Sequence, residues 1–82
     1  TSPVLTSLFG KMIGKQIEEM WQILGEKEFT IVEYGAGTGV LCNDILNYLK
    51  KNTALYNNLR YCIIEKSAAM REKQKAFLQT KF

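Results

Sequence analysis

The 82-residue sequence contains no histidine and only two cysteines, so it lacks the ligands that a structural zinc site needs. Cys42 and Cys62 each lie in an apolar pattern, and we expect both to be buried thiols. Long apolar runs are also absent, since no stretch approaches the roughly 18 residues of a membrane span. The first residues do not have the pattern of a signal peptide. We therefore expect a cytoplasmic protein in a bacterium, or a mitochondrial matrix protein in a eukaryote.

Charge of one sign is not concentrated in the sequence. The net charge is +3, and the basic residues near the end are interrupted by Glu65 and Glu72. Lys50 and Lys51 are adjacent, but so short a run is more typical of a solvated helix face than of a nucleic-acid interface. We therefore expect neither a nucleic acid nor a membrane as a partner.

The stretch from Phe29 to Gly39 carries the clearest functional pattern. Its first part, FTIVEY, is an aromatic and β-branched run with apolar residues on both faces of the pleat, which predicts a strand covered by helices on both sides. Gly35, Gly37 and Gly39 permit positive φ angles and remove the Cβ atoms that would hold a ligand away from the main chain. A predicted helix begins directly after them, and open α/β sheets bind ligands at such a point.

A long amphipathic helix precedes this strand. Apolar residues recur at three- and four-residue steps over 4–24, after Pro3 in the first turn and before Gly25, which suits the C′ position. Gly10 and Gly14 interrupt this helix on one side. They indicate either the close approach of a neighbouring element or ligand, or glycines that the helix simply tolerates.

The rest of the chain predicts two more helices and a second strand. The pattern favours a helix over 40–51, a loop over 52–58, a strand over 59–65 and a last helix from Ser67 to about Thr80. A strand, a crossover helix and a second strand of this length form a right-handed unit with parallel strands. The predicted class is α/β, an α-β-α-β-α segment with two parallel strands, in which a leading helix (1–25) precedes a βαβα unit (29–82).

The spacing of the glycines separates two classes of ligand. A dinucleotide-binding loop, G-x-G-x-x-G, would place its third glycine at position 40, which is Val40 here. The observed order is Glu33, one residue, and then the three alternating glycines. This order resembles motif I of class I S-adenosylmethionine-dependent methyltransferases. The second predicted strand also ends in an acidic residue, Glu65.

This resemblance implies a role for each residue of the region. The main chain of the loop Gly35-Ala36-Gly37-Thr38-Gly39 can approach the amino-acid end of S-adenosylmethionine, and Glu33 can bind its ammonium group directly or through water. Glu65 can accept hydrogen bonds from both ribose hydroxyls, and Lys66 would border the adenine ring. The alternative is that Glu33 is a capped charge at a strand end and Glu65 is a surface carboxylate.

Almost the full chain resembles the MidA-type methyltransferases, whose eukaryotic relatives are mitochondrial complex I assembly factors that methylate a protein arginine. The motifs that carry the resemblance occur in the family's order: Thr1-Ser2-Pro3 with Ser7-Leu8-Phe9-Gly10, Val32 to Gly39, Asp44-Ile45-Leu46, and Ile64-Glu65 with Ser67, Arg71 and Gln74. The resemblance implies a partial Rossmann-like methyltransferase fold and S-adenosyl-L-methionine as the cofactor. It also implies a protein side chain, with arginine the first candidate, as the methyl acceptor.

Two features depart from the family pattern. Ala36 and Lys66 stand where the family often has proline, but proline would contribute no side-chain hydrogen bond, so we still expect cofactor binding. Members of the family also carry a larger sheet and a substrate-binding insertion. We therefore expect this chain to be an N-terminal cofactor half that is inactive alone. Its uncovered strand edges and helix faces favour self-association.

No catalytic residue is assigned from the sequence. The sulfonium is already an activated methyl donor and the enzyme mainly aligns the reactants, so this half of the fold needs little acid–base chemistry. Two other classes of protein remain open. One is a nicotinamide-dependent oxidoreductase, which Val40 disfavours. The other is a non-catalytic assembly or interaction module that docks a partner through Phe9 and Trp21 of the leading helix.

Overall fold

The computed structural model describes residues 3–35 and 37–79 and, within the first helix, the side chains from Ser7 onward. Thr1, Ser2, Ala36 and residues 80–82 lie outside this range, together with the expectations that concern them. In chain order the elements are α1 (Pro3–Ile23), β1 (Phe29–Tyr34), α2 (Val40–Leu49), α3 (Thr53–Asn57), β2 (Leu59–Ile64) and α4 (Ala68–Gln79). The predicted α-β-α-β-α order is confirmed, with one short helix added before β2.

The two strands form a parallel sheet. Phe29 lies opposite Leu59 at one end of the ladder, and Tyr34 lies opposite Ile64 at the other. The predicted parallel unit is therefore confirmed, and α2 and α3 lie within its crossover. Because β1 and β2 run in the same direction, their carboxyl ends lie together at one edge of the sheet.

The sheet is covered on one face only within the described chain. Residues alternate between half-buried and exposed along both strands. On the open face, Val32 keeps 46% and Tyr34 keeps 74% of its surface exposed. The expectation that helices cover both faces of β1 is wrong here. Cys62 was expected to be buried and is exposed, because its position in β2 directs it to this open face.

The core lies on the covered face of the sheet. Its buried cluster combines Trp21 of α1, Ile45 and Leu49 of α2, and Leu55 of α3. Half-buried residues that pack against it include Phe29, Ile31, Leu59 and Tyr61 from the two strands. The Trp21 indole Nε1 donates a hydrogen bond to the Lys27 carbonyl oxygen at 2.8 Å. Trp21 is therefore a core residue with its polar atom satisfied, and it does not offer a docking surface.

Helices α1 and α2 approach each other closely at two glycines. Gly10 and Gly14 are both buried. A methyl group built on Gly10 would collide with Asp44 Cβ, and one built on Gly14 would lie 2.8 Å from Tyr48 Cδ1. Of the two interpretations left open by the sequence, the close approach of a neighbouring element is confirmed. Because Gly10 and Gly14 have no side chains, α1 can approach α2 closely. This contact holds α1 against α2, the helix that follows the glycine loop.

The end of α1 has the geometry that its sequence indicates. Gly25 has a φ angle of 99°, in the left-handed region that favours glycine. The Glu26 amide donates to the Trp21 carbonyl at 2.9 Å, and the Gly25 amide donates to the Gln22 carbonyl at 3.3 Å. These two bonds form a Schellman motif with Gly25 at C′, as predicted. The chain can then turn from α1 into β1.

The segment predicted as a loop before β2 contains a short helix instead. Helix α3 begins after Asn52, whose side-chain Oδ1 accepts a hydrogen bond from the Leu55 amide at 3.1 Å. Leu55 has no exposed surface and belongs to the core. The polar composition of this segment indicated a loop, but an asparagine N-cap together with one buried leucine is enough to order five residues as a helix.

Other element boundaries differ by a residue or two from the prediction. Helix α2 ends at Leu49 with Lys50 as its C-cap, whereas the sequence favoured a helix to position 51. Strand β2 ends at Ile64, so Glu65 lies directly after the strand. Ser67 caps α4 as predicted, because its Oγ accepts a hydrogen bond from the Met70 amide at 3.2 Å.

Replacing Gly10 with alanine tests the close packing of α1 on α2. The added methyl would meet Asp44, and we expect overpacking to lower the free energy of unfolding by about 1–3 kcal/mol. Higher helix propensity would offset about 1 kcal/mol of this loss. Lys11→Ala, at the exposed neighbouring position, is the control and should stay within about 0.5 kcal/mol of the wild type. Urea unfolding followed by circular dichroism measures both variants. A Gly10→Ala protein more stable than the wild type would contradict the packing.

Candidate cofactor-binding site

The glycine loop lies between the end of β1 and the start of α2. Gly35, Gly37 and Gly39 have φ angles of 62°, 59° and 94°, so all three adopt the left-handed conformation that other residues rarely tolerate. A methyl group built on Gly35 or Gly37 would meet no atom within 4 Å. The space beside these two residues is therefore open, and the main chain there is accessible to a ligand.

The loop is attached to the end of the second strand. The Gly35 amide donates a hydrogen bond to the Ile64 carbonyl at 3.0 Å, which continues the parallel ladder one residue beyond β1. Glu33 lies opposite Ile63 in the register, and Glu65 follows β2 directly. The structure thus brings the glycine loop and both predicted acidic positions to the same edge of the sheet.

Glu33 lies on the covered face of β1 and already has a partner. The Tyr61 hydroxyl donates a hydrogen bond to Glu33 Oε1 at 2.6 Å. Cys42 of α2 is buried next to this pair. Burial, and secondarily the charge of Glu33, raises the pKa of the Cys42 thiol to about 11. Burial also raises the pKa of the Tyr61 hydroxyl, and its hydrogen bond to Glu33 adds to that shift. Both groups are therefore neutral near pH 7.

The turn after β2 is held by an arginine of α4. The Arg71 Nη1 donates to the Glu65 carbonyl at 2.7 Å and to the Lys66 carbonyl at 3.1 Å. The Glu65 residue is half-exposed and Lys66 is exposed, so their side chains are accessible from solvent at this edge. The ribose role of Glu65 and the adenine role of Lys66 stay predictions. Ala36 lies outside the described residues, and Thr38 is exposed within the loop.

Gln74 is a residue of the site to which the sequence analysis gave no role. It keeps only 5% of its surface exposed, and its Nε2 donates a hydrogen bond to the Gly37 carbonyl at 2.5 Å. Leu78, one turn further along α4, would lie 3.2 Å from a methyl group on Gly39. Helix α4 therefore supports the glycine loop. A signal was present in the sequence, because Gln74 falls between Met70 and Leu78 on the apolar stripe of this helix.

A groove lies between α2, β2 and α4. Its volume is about 950 Å³, and its walls include Cys42, Leu46, Tyr61, Ile63, Gln74 and Leu78. The groove therefore reaches the Tyr61 and Gln74 side chains that contact the carboxylate of Glu33 and the carbonyl of Gly37.

Over residues 3–35 and 37–79 there is no cluster of three or more side chains suited to holding a metal ion. Of the helices in this part of the chain, none combines the length and apolar character needed to span a bilayer.

A glycine loop that joins a parallel strand to a helix, next to the end of a second strand, is the arrangement at which open α/β sheets bind ligands. The family model with the description "putative S-adenosyl-L-methionine-dependent methyltransferase" matches residues 12–82. The chain belongs to this family, and its resemblance to the MidA-type methyltransferases is confirmed.

Two relatives are named "Protein arginine methyltransferase NDUFAF7 homolog, mitochondrial". The chain is 36% identical over 52 residues to the one from Drosophila melanogaster. It is 46% identical over 52 residues to the one from Caenorhabditis elegans. Each alignment covers 62% of this chain and 12% of the relative, so the chain spans a small part of the length of these proteins.

Replacing Gln74 with glutamate should destabilise the loop. The glutamate would place an oxygen in a buried position next to the Gly37 carbonyl and would remove its hydrogen-bond donor. We expect a loss of about 1–3 kcal/mol in the free energy of unfolding, because the half-buried Gly37 carbonyl loses its donor and a carboxyl group takes the buried Gln74 position. The matched control is Gln79→Glu, which makes the same change at an exposed position of α4 and should have little effect. Urea unfolding compares the two, and equal stabilities would contradict the support given by Gln74.

The two thiols should differ strongly in reactivity. Cys62 is exposed, whereas Cys42 is buried and its raised pKa of about 11 keeps it protonated at neutral pH. We expect iodoacetamide at pH 8 to modify Cys62 quickly and Cys42 only after unfolding in guanidinium, as measured by mass spectrometry. The folded protein favours the thiol form of Cys42, and this preference adds to the free energy of unfolding. The contribution is fully present below the ordinary pKa of 9.0 and is lost as the pH rises toward 11. Rapid alkylation of Cys42 in a Cys62→Ser protein at pH 8 would contradict this assignment.

Proposed function

We propose that the protein binds S-adenosylmethionine at the carboxyl edge of its sheet and forms the cofactor-binding part of a methyltransferase. The observation that carries this proposal is the loop after β1. Its three alternating glycines have positive φ angles, and two of them have open space where a side chain would stand. A main chain of this shape fits a ligand that approaches closely. Membership of a family of S-adenosylmethionine-dependent methyltransferases supports this ligand over a nicotinamide dinucleotide.

The roles of the individual residues follow from the chemistry of the cofactor. In this proposal the loop of residues 35–39, with Ala36 and Thr38 between its glycines, binds the amino-acid end through the main chain. Glu33 binds the ammonium group, since a carboxylate is a suitable acceptor for it. Glu65 accepts hydrogen bonds from the ribose hydroxyls, and Lys66 borders the adenine. When bound, the cofactor supplies an activated methyl group.

The methyl acceptor in this proposal is a protein side chain, with arginine the first candidate. Support comes from the names of the two relatives, which are protein arginine methyltransferases. Those names also support a mitochondrial location if the source is eukaryotic. Because the chain corresponds to a small part of these relatives, the acceptor site and the catalytic residues belong to the whole protein, and we propose that this part is inactive alone.

Self-association of the isolated chain is a further part of the proposal. The open face of the sheet carries Val32, Tyr34 and Ile64, each substantially exposed. A contiguous apolar surface of this kind favours contact with another surface. An assembly or interaction module is the alternative class of protein. It has less support, because Trp21, one of the two residues that suggested it, is buried in the core.

Calorimetric titration of S-adenosylmethionine into the full-length protein that carries this chain tests the proposed cofactor. We expect binding in the wild type and a loss of at least about a hundredfold in affinity for Glu65→Ala, because this variant loses two hydrogen bonds to a charged group, each of which contributes about 1.5–3 kcal/mol. Gly37→Val should bind weakly or not at all, since valine at a φ of 59° is strained and its side chain would enter the open space.

Two control variants separate loss of the site from loss of the fold. Gly25→Val introduces the same kind of strain at a φ of 99°, but at the end of α1 rather than in the loop. Glu28→Ala removes an exposed carboxylate before β1. Both controls should keep the affinity of the wild type. No binding in the wild type, or unchanged binding in both Glu65→Ala and Gly37→Val, would refute the proposed function.

A further inference from the structure

Tyr61 is the side chain that contacts the acidic residue of the glycine-loop region. Its hydroxyl donates to Glu33 Oε1 at 2.6 Å, a short distance for an O–H···O bond. In the register of the sheet, Tyr61 lies opposite Ile31, two residues before Glu33. The tyrosine ring therefore reaches along the covered face toward the carboxyl edge, where its hydroxyl meets the carboxylate.

Two titratable side chains, Tyr61 and Cys42, interact with Glu33, and neither supplies a positive charge. Cys42 is 2% exposed, and burial is the main cause that raises its pKa and that of Tyr61. Both groups are neutral near pH 7, and Tyr61 remains a hydrogen-bond donor there. A carboxylate has about four acceptor positions, so the bond from Tyr61 leaves capacity for further donors. A half-buried carboxylate between two neutral groups is suited to a cationic ligand.

We propose that Tyr61 is a positioning residue, which holds the Glu33 carboxylate in the orientation that receives the ammonium group of the cofactor. This inference rests on the proposed function. Glutamate has several rotatable bonds, and a free side chain at a strand end would lose that freedom only when the ligand binds. The hydrogen bond from Tyr61 restricts the side chain beforehand, so that less freedom is lost on binding. Tyr61 itself does not need to touch the ligand.

A structural role for Tyr61 makes a different prediction from a positioning role. Tyr61 also packs against the core cluster, so loss of its hydroxyl could weaken the fold in general. General weakening would lower the affinity for every ligand of the site in the same proportion. A positioning role through Glu33 would lower the affinity only for ligands that carry an ammonium group. Two ligands with the same adenosine and the same neutral sulfur allow the comparison: S-adenosylhomocysteine has the amino-acid end, and 5′-methylthioadenosine lacks it.

The experiment is calorimetric titration of both ligands into the full-length protein that carries this chain, as wild type and as Tyr61→Phe. We expect Tyr61→Phe to bind S-adenosylhomocysteine about five- to tenfold more weakly, the size of one ordinary hydrogen bond, and 5′-methylthioadenosine as the wild type does. The matched control is Tyr48→Phe. It removes a tyrosine hydroxyl that donates to Glu18 Oε1 at 3.1 Å between α1 and α2, away from the loop, and it should change neither affinity.

A double-mutant cycle tests whether Tyr61 acts through Glu33. In a Glu33→Gln background the loss caused by Tyr61→Phe should disappear, because the charge that it orients is no longer present. A second variant, Glu33→Asp, covers the case in which Tyr61→Phe does not fold. It keeps the charge and the tyrosine but shortens the side chain by one methylene, and it should show the same selective loss of S-adenosylhomocysteine binding.

The outcomes distinguish this inference from the function on which it rests. If the wild type binds neither ligand, the proposed function fails and the positioning role fails with it. If the wild type binds both ligands and Tyr61→Phe binds them equally well, the proposed function stands and the inference is wrong. Equal losses for the two ligands, or wild-type affinity in Glu33→Asp, would also overturn the positioning role.

Discussion

The parallel pairing of β1 with β2 is the constraint on which the candidate site depends. Parallel strands place their carboxyl ends at one edge, and the Gly35 amide extends the ladder to the Ile64 carbonyl. A chain segment that leaves β1 and a turn that leaves β2 are therefore neighbours, although about thirty positions separate them in sequence. The loop, Glu33 and Glu65 meet at this edge for the same reason. Loss of the pairing would separate the parts of the site without changing any of them.

Helix packing holds this edge of the sheet in place. Helix α1 packs on α2 through Gly10 and Gly14, and so fixes the helix whose first turn follows the glycine loop. Helix α4 contacts the loop directly, because Gln74 donates to the Gly37 carbonyl. Glycines that would be costly in an isolated helix are compensated by this close approach. The loop is open toward solvent at Gly35 and Gly37, yet its backbone is bonded to both β2 and α4.

Much of the fold could be predicted from the sequence because its signals are local. The C′ glycine at position 25, the capping serine at position 67 and the strand run before the loop each determine a conformation within a few residues. The short helix α3 was missed because its one apolar anchor, Leu55, gives no periodic pattern on its own. The exposure of Cys62 was missed because apolar residues on both faces of a strand indicate burial only when both faces are covered.

The sequence by itself determined the class of the fold, the order of its elements and the glycine loop, since periodicity and left-handed positions depend on neighbouring residues. Only the tertiary structure decided which side chains support that loop. The contact of Tyr61 with Glu33 and that of Gln74 with Gly37 join residues 28 and 37 positions apart. Strand register and helix packing create such contacts, and no pattern within one element encodes them. The acidic residue and the glycines could therefore be proposed as parts of one candidate site from sequence, whereas the residues that contact them could not.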